Sequence, residues 1–484
     1  MSGDDNQFGD MNRRRYLEAV TVAGIAGAAG CTGGGDGGDG GDGSDGGDGG
    51  DGGDGSDGGD GGDGTSGDGG SGPNYGDYQD VSVTFATSSL YTEPWNDLAS
   101  TFTDETGIEV NVTSYAQSEM LTKLQNQLRA QQAEFDAFIS DVIWTGTLMD
   151  PGWSEPLEEY MNDSSLAMEG YDYDDHLDVF ATNYGQWNGT TYGLPWYGDT
   201  MKLVVRKDVL EEHAEEFNAN HDFDIMPPFP EGYESYQQFN EVARFMHEKG
   251  WEMGLEGRRG WNIVYYYPNR FSAETGEASM IDDDGNSRLD MDGAQSALQI
   301  YVDQTEWARN PLSSGYTQSR DQFLNGDTWA VEQWGTATSK FIDEYGWEDG
   351  VRVTLTPGGY PDLGGWGILV NSFSDQNRKE AAFLFAQWAT SKEMDKYAMR
   401  EHGVTPTRAS SFTDELKEQA PQLNYQDPEA NPGIRTLSLR PRNTNYQELG
   451  DTMQTRISEA LSGSAGVEET ITTIHDEWQN IMSN

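Results

Sequence analysis

Along residues 81–140 the chain switches regularly between two hydrophobic periods, and this exchange limits the folds open to it. Apolar and polar side chains alternate over 81–85 and 108–112, as in half-buried β-strands, and 135–140 predicts a third strand. Between these segments apolar side chains recur at helical spacing, and Gly107 is placed to end the first helix. Strand, helix, strand, helix, strand requires right-handed crossovers, so we predict an α/β fold with a parallel sheet.

A second stretch of strand and helix patterns begins near residue 227. Apolar residues at helical spacing predict several further helices, and the Asp-rich segment 280–286 predicts a tight turn between hairpin strands. Asp292, three residues before Gln295, predicts a capping box at the start of the next helix. The two stretches together predict two α/β bodies with several chain crossings between them.

Two carboxylates directly follow predicted strands. Glu93 comes after the first strand and Asp141 after the third. Ligands of open parallel sheets bind beyond the carboxyl ends of the strands, so both side chains are candidates for ligand contact. A role at a helix start is the alternative for Glu93, and a helix N-cap is the alternative for Asp141.

The charge of the chain narrows the choice of partner and environment. Asp and Glu total 84 against 29 Lys and Arg, a formal net charge of -55. Such a field repels phosphate backbones, which argues against nucleic acid as a partner. The 14 Trp, 23 Tyr and 18 Phe are enough to build a core, so we interpret the acid as the solvated coat of a folded protein in concentrated salt.

Residues 1–31 have the pattern of an export signal with an attachment point. Arg13 and Arg14 precede the apolar segment 19–30, which is too short to span a bilayer as a stable helix. Three small residues then precede Cys31, the sole cysteine. This is similar to a twin-arginine signal joined to a lipoprotein cleavage box, and it predicts lipidation of Cys31 at the membrane.

Residues 32–78 are dominated by Gly and Asp, with Asp at every third position over much of the stretch. The segment lacks the proline that a collagen helix needs, and it lacks the apolar residue that each turn of a calcium-binding repeat needs. We therefore predict a disordered, self-repelling tether between the membrane and the folded body.

Four segments of the body carry a combined signature, and they lie in chain order at 189–208, 323–334, 364–368 and 403–406. Together they resemble the extracellular solute-binding proteins of ABC sugar importers. Residues 136–144 and 152–157 are most similar to the trehalose/maltose-binding branch of that family.

This resemblance implies a two-lobe, type II periplasmic-binding-protein-like fold with a ligand cleft between hinged lobes. It implies lobe one at 79–206 plus 354–411 and lobe two at 207–353 plus 412–484. It also implies a monomer that delivers a small-molecule sugar to membrane permease subunits, with no cofactor, no metal and no enzymatic activity.

A sugar site needs carboxylates and amides for hydroxyls and flat rings for the apolar C–H face. The resemblance places Tyr197 and Asp199 as a cleft pair, Trp334 and Trp366 as ring platforms, and Arg440 as a late ligand contact. Glycines beside each tryptophan, including Gly365, leave room for close approach. The alternatives are hinge packing for the pair, core positions for the tryptophans and a surface ion pair for Arg440. Arg408 is a weaker substitute for Arg440.

Three hypotheses for function follow. The first is a receptor for a disaccharide or glucose, and the second is a receptor of the same fold for iron, a polyamine or another polar solute. The third, a secreted carbohydrate-active enzyme, has little support because no nucleophile elbow, phosphate loop or zinc helix motif occurs in the sequence. Six scattered histidines do not form a metal-binding pattern.

Overall fold

The computed structural model of the chain describes residues 72–427 and 437–483. The predicted export signal, Cys31 and the tether as far as residue 71 lie outside the described residues. Where the chain is described, no helix is both long and apolar enough to cross a bilayer.

The last residues that we assigned to the tether are packed against the folded body. Tyr75–Tyr78 form a 3₁₀ turn, and the Tyr75 ring lies 6.0 Å from the ring of Phe102. The Tyr78 hydroxyl donates a hydrogen bond to Glu380 at 2.8 Å. The predicted limit at 78 is therefore a few residues too late, because these two tyrosines can bury apolar surface that Gly and Asp lack.

A five-stranded sheet forms the first lobe. Its order is β2-β1-β3-β10-β6, with β1 parallel to β2 and β3, and β10 antiparallel to β3 and β6. The predicted parallel arrangement of the first three strands is confirmed. The antiparallel strand β10, and β6 beside it, which runs in the same direction as β1, were not predicted. The strands are β1 Ser82–Ser88, β2 Glu109–Tyr115, β3 Ala137–Asp141, β6 Gly193–Tyr197 and β10 Trp366–Val370.

Helices cover this sheet through an aromatic core. The Phe85 ring of β1 lies 4.3 Å from Trp95 and 5.4 Å from Phe385, each on a different helix. The first helix ends at Gly107, whose φ of +78° and N–H bond to Thr103 confirm the predicted C-cap. The long helices of this lobe are Thr92–Thr106, Gln117–Arg129, Gln376–Ala389 and Lys392–His402.

A three-stranded antiparallel sheet of order β8-β7-β9 forms the second lobe. Its strands are β7 Lys202–Arg206, β8 Ala330–Gln333 and β9 Val351–Thr354. The long helices of this part are Lys207–Asn218, Tyr236–Glu248, Ile263–Thr275, Asp292–Gln304, Tyr316–Leu324, Gly335–Tyr345, Tyr446–Leu461 and Val467–Met482. Short elements complete the described chain: the hairpin of β4 Gln186–Trp187 and β5 Thr190–Thr191, a π-helix Ala181–Gly185, and the helices Thr145–Met149, Glu158–Asn162, Asp178–Phe180, Asp414–Gln419 and Leu423–Gln426.

Two local predictions in the second lobe have different outcomes. The tight turn is confirmed by an antiparallel bridge between Ile281 and Ser287, but this bridge is isolated and the flanking residues do not form the predicted hairpin strands. The capping box is wrong, because Asp292 is itself the first helical residue and no side chain caps the helix at Met291.

Three chain segments lie side by side between the two sheets. Thr200 forms an antiparallel bridge with Leu363, and Asp362 forms a parallel bridge with Ser438. The predicted lobe limit at 206 assigns β7 to lobe one, whereas its hydrogen bonds to β8 and β9 place it in the second sheet. The chain therefore crosses between the sheets before Lys202.

Candidate functional site

Three of the predicted site residues lie on neighbouring strands at one edge of the first sheet. Asp141 ends β3, Tyr197 ends β6 and Trp366 begins β10. Because β10 is antiparallel to its neighbours, Trp366 is paired in register with both Asp141 and Tyr197. Asp141 was selected because it follows a predicted strand, and two further candidates lie beside it at the same edge of the sheet.

Trp366 belongs to a group of aromatic rings that includes a residue not predicted from the sequence. Its ring centroid lies 5.5 Å from Tyr91 and 5.3 Å from Trp144, both in edge-to-face geometry. Tyr91 also lies 5.7 Å from Tyr197, so it joins two of the predicted residues. Trp366 is 4 % exposed, which makes it part of the core of the first lobe in this structure.

Glu93, two residues after Tyr91, is exposed in the first turn of its helix. Its position fits the alternative role at a helix start, where an acidic side chain complements the helix dipole. The structure does not bring its side chain into the group formed by the other candidates.

Asp141 combines a structural contact with a buried charge. Its side chain accepts a hydrogen bond from the Ile143 N–H at 3.3 Å and caps the 3₁₀ turn Val142–Trp144, as the N-cap alternative predicts. Burial raises the pKa of Asp141, while Arg440 and the Ile143 N–H act to lower it. The carboxyl group therefore lies within electrostatic reach of Arg440.

Asp199 joins the crossing segment to the second lobe. Its carboxylate accepts hydrogen bonds from the Tyr197 hydroxyl at 2.9 Å and from the Gly335 N–H at 3.0 Å. It also pairs with the Lys202 ammonium at 3.2 Å, and the Lys202 side chain is fully buried. These contacts are those of hinge packing, the alternative that the sequence left open for Tyr197 and Asp199.

Trp334 follows β8 and lies against the glycines that precede Trp366. A Cβ atom on Gly364 would lie 2.5 Å from the Trp334 ring, and Tyr265 makes an edge-to-face contact with that ring at 5.2 Å. Trp334 is 9 % exposed and packs in the core of the second lobe. The two tryptophans thus belong to the cores of different lobes, and residues 364–366 connect them.

Gly365 is required by its own geometry. Its φ is +99°, and a Cβ atom there would overlap the Tyr184 hydroxyl and the Tyr197 carbonyl oxygen. Its carbonyl oxygen accepts the Val142 N–H at 3.1 Å, which ties this segment to the end of β3. Gly365 therefore shapes the site through its backbone.

Arg440 is a buried residue, in contrast to the alternative of a surface ion pair. Its Nε lies 3.1 Å from an oxygen of Asp362, and one Nη donates to the Leu363 carbonyl at 2.7 Å. Its guanidinium carbon lies 6.0 Å from the Trp334 ring centroid. Burial raises the pKa of Asp362 to about 8, against the effect of Arg440 and with a further contribution from Asp141.

Arg408, the weaker substitute for Arg440, lies elsewhere. It is fully buried in the first lobe, where it donates hydrogen bonds to the Thr390 and Asp172 carbonyl oxygens. We define the side chains that meet between the sheets as the interlobe cluster: Tyr91, Asp141, Tyr197, Asp199, Lys202, Trp334, Asp362, Trp366 and Arg440.

Three members of the interlobe cluster were not predicted from the sequence. Tyr91 carried a usable signal, because it lies shortly after β1, and Asp141 likewise lies at the carboxyl end of β3. Lys202 and Asp362 carried none, since each becomes notable only through a carboxylate or guanidinium partner in the fold. Among the described residues, no group of three or more His, Cys, Asp or Glu is arranged to hold a metal ion.

Comparison with known proteins assigns the chain to a family. The family model described as bacterial extracellular solute-binding protein matches residues 97–424. The chain belongs to this family. It is therefore an extracellular solute-binding protein, and this family consists of binding proteins, not enzymes.

Relatives of this solute-binding protein support the two-lobe, type II fold. The erythritol/L-threitol-binding protein of Mycolicibacterium smegmatis is 23 % identical over 354 residues, covering 68 % of this chain and 70 % of that protein. The maltose-bound MalE3 of T. maritima has a TM-score of 0.69 at 23 % identity, covering 83 % of this chain and 99 % of that one. A solute-binding protein of Agrobacterium radiobacter K84 in complex with ribitol also has a TM-score of 0.69, at 22 % identity, with 83 % and 98 % covered.

Proposed function

We propose that this solute-binding protein captures an uncharged sugar or sugar alcohol in a cleft at the interlobe cluster and delivers it to the permease of an ABC importer. The observation that carries the proposal is the meeting of aromatic rings from both lobes with carboxylates of the first lobe and of the crossing segments, at the strand ends around Trp366. Rings suit the apolar face of a polyhydroxy ligand and carboxylates suit its hydroxyls. Relatives that bind erythritol, maltose and ribitol add support.

In the mechanism that we propose, the free lobes separate and ligand favours the closed form. Only closure lets Trp366 of the first lobe and Trp334 of the second contact one ligand, so binding shifts the population towards it. The three crossing segments near Thr200, Leu363 and Ser438 form the hinge.

The test is a binding screen of the exported chain by calorimetry and thermal shift. The panel contains erythritol, ribitol, D-mannitol, glucose, maltose and trehalose. Amino acids, polyamines and ferric citrate are included to represent the alternative classes of ligand. A ligand at 100 times its dissociation constant should stabilise the protein by about 2.7 kcal/mol. Binding of a polyamine, iron or an amino acid with no response to any polyol or sugar would contradict the proposal.

A matched pair of variants locates the site. Trp366→Phe should weaken ligand affinity, because the smaller ring covers less of the ligand, whereas Trp388→Phe should not. Trp388 has a similar burial in the same lobe but lies on the helix Gln376–Ala389, where its indole N–H bonds Glu105 at 2.9 Å. Equal effects of the two substitutions would place the site elsewhere.

We further propose that the protein is a monomer tethered outside the cell by a lipid on Cys31 after twin-arginine export, in a very salty environment. Support comes from the pattern of residues 1–31 and the net charge of -55. In the producing cell, Cys31→Ser should release the protein into the medium. The double variant Arg13→Lys with Arg14→Lys should keep the protein inside the cell. Membrane retention of the Cys31→Ser protein would contradict the lipid anchor.

A further inference from the structure

Asp362 is a buried carboxylate with an incomplete set of partners. Its side chain is fully buried, and within the part of the chain that the structure describes neither carboxylate oxygen accepts a hydrogen bond. Its contact is the ion pair with Arg440, in which the Nε to oxygen distance is 3.1 Å. An acid buried in this way is costly, so packing alone does not explain its presence.

Arg440 is surrounded by acid on two sides. Besides Asp362, it interacts electrostatically with Asp141, and its guanidinium lies over the Trp334 ring. The second buried base of the interlobe cluster, Lys202, is paired with Asp199. Three carboxyl groups thus face two basic groups, and each base has a carboxylate partner.

We infer that Asp362, in its ionised form, makes the cleft selective for uncharged polyhydroxy ligands over their carboxylate analogues, by holding the charge of Arg440 in an internal ion pair. The inference rests on the proposed function, since Arg440 must lie at the ligand. Asp362 acts through Arg440 and is therefore a positioning residue. The paired guanidinium can still donate N–H bonds to hydroxyls, but an anion gains little net attraction from it and is repelled by Asp141.

The test compares matched ligands on the wild-type protein and its Asp362→Asn variant at about pH 9, where the Asp362 carboxyl group is ionised. Each neutral compound is paired with its acid: erythritol with erythronate, ribitol with ribonate, D-mannitol with D-mannonate and maltose with maltobionate. Asparagine keeps the size of the side chain and removes the negative charge that pairs with the Arg440 guanidinium. The ratio of acid to neutral dissociation constants should fall by about tenfold or more, the range of a hydrogen bond to a charged group.

Two further variants separate charge selection from general damage. The double change Asp362→Asn with Arg440→Gln should restore the high ratio, because the freed guanidinium is then absent. Glu252→Gln removes one negative charge from the Arg309 ion pair, whose atoms lie 3.0 Å apart outside the interlobe cluster, and should leave the ratio unchanged. A merely structural role of Asp362 would weaken both members of a ligand pair alike.

The pH dependence gives an independent readout. The charged or titratable groups that interact with Asp362 are Arg440, Asp141 and Tyr446. Burial raises the pKa of Asp362, so its carboxyl group is neutral at low pH. The carboxylate ligand is then less disfavoured relative to its neutral partner. The wild-type ratio should therefore increase from about pH 6 to about pH 9, and that of Asp362→Asn should change less.

The outcomes distinguish the inference from the proposed function. Wild-type protein that binds a neutral ligand, with no gain of acid binding in Asp362→Asn at about pH 9, overturns the inference and leaves the proposed function standing. Wild-type protein that prefers an acid to its neutral partner also overturns the inference. Protein that binds neither kind overturns both.

Discussion

Gly365 has no Cβ atom, and this allows its backbone to approach both Tyr184 and Tyr197 closely. We expect Gly365→Ala to lower the free energy of unfolding by roughly 2–5 kcal/mol, through a positive φ and overlap with Tyr184 and Tyr197. Gly359→Ala is the matched control, because its φ is +81° and nothing lies within 4 Å of the added Cβ. It should cost about 1 kcal/mol. Equal losses in urea unfolding would show that overlap at 365 is relieved by small shifts.

Glu256, on the second-lobe side of the site, gives a residue-scale prediction about pH. It is fully buried and accepts hydrogen bonds from Tyr265, Ser319 and Gln333. Burial raises its pKa from 4.5 to about 7, so the folded state holds a proton that the unfolded state releases. Stability from this group is present below about pH 4.5 and is lost as the pH rises through about 7.

We therefore expect Glu256→Gln to gain stability relative to wild type by about 3 kcal/mol between about pH 4.5 and pH 8. Urea unfolding at the two pH values measures the difference, and Glu277→Gln, at a partly exposed ion pair with Arg288, is the control. A difference between variant and wild type that does not change with pH would refute the assignment.

At the scale of elements, Asp199 holds the chain crossing against the helix Gly335–Tyr345. Asp199→Asn leaves the buried Lys202 ammonium without its charge partner, and we expect a loss of about 3–5 kcal/mol. Asp208→Asn removes a carboxylate from the Arg206 ion pair, but Asp208 is about half exposed, so the loss should be below about 1 kcal/mol. Similar unfolding midpoints for the two variants would mean that the crossing does not depend on Asp199.

The hydrophobic pattern predicted correctly those elements whose formation depends on neighbouring residues in the sequence. The three parallel strands and the Gly107 cap follow from alternation and from one glycine, whereas β10 pairs with segments more than 160 residues away and left no local signal. The same limit applies to the site: Asp141 was predicted by its position after a strand, but the partner of Arg440 is Asp362, 78 positions earlier. The wrong cap at Asp292 shows that a four-residue motif can be shifted by one position when tertiary packing sets the helix start.

At the scale of the whole molecule, the large hydrophobic cores of the two lobes flank a region in which ion pairs lie beside a small apolar cluster that includes Leu363 and Leu437. Trp366 packs in the first core and Trp334 in the second, while the ion pairs of Lys202 and Arg440 lie between them. The function proposed above requires that separation of the lobes expose the rings of Trp366 and Trp334 to a ligand. We expect the charged pairs beside them to set which ligands are accepted on closure.

The net charge of -55 predicts how the molecule as a whole responds to salt. Like charges on a compact body repel one another, and the repulsion is reduced as the screening length falls from about 10 Å at 0.1 M to about 3 Å at 1 M salt. We therefore expect the unfolding free energy of the protein to rise with sodium chloride, with most of the gain below about 1 M. Sucrose at equal osmolality is the control, because it favours burial through exclusion from the surface and screens no charge. If sucrose stabilised the protein as strongly as the salt, screening would not be the cause, and the acidic coat would have another explanation.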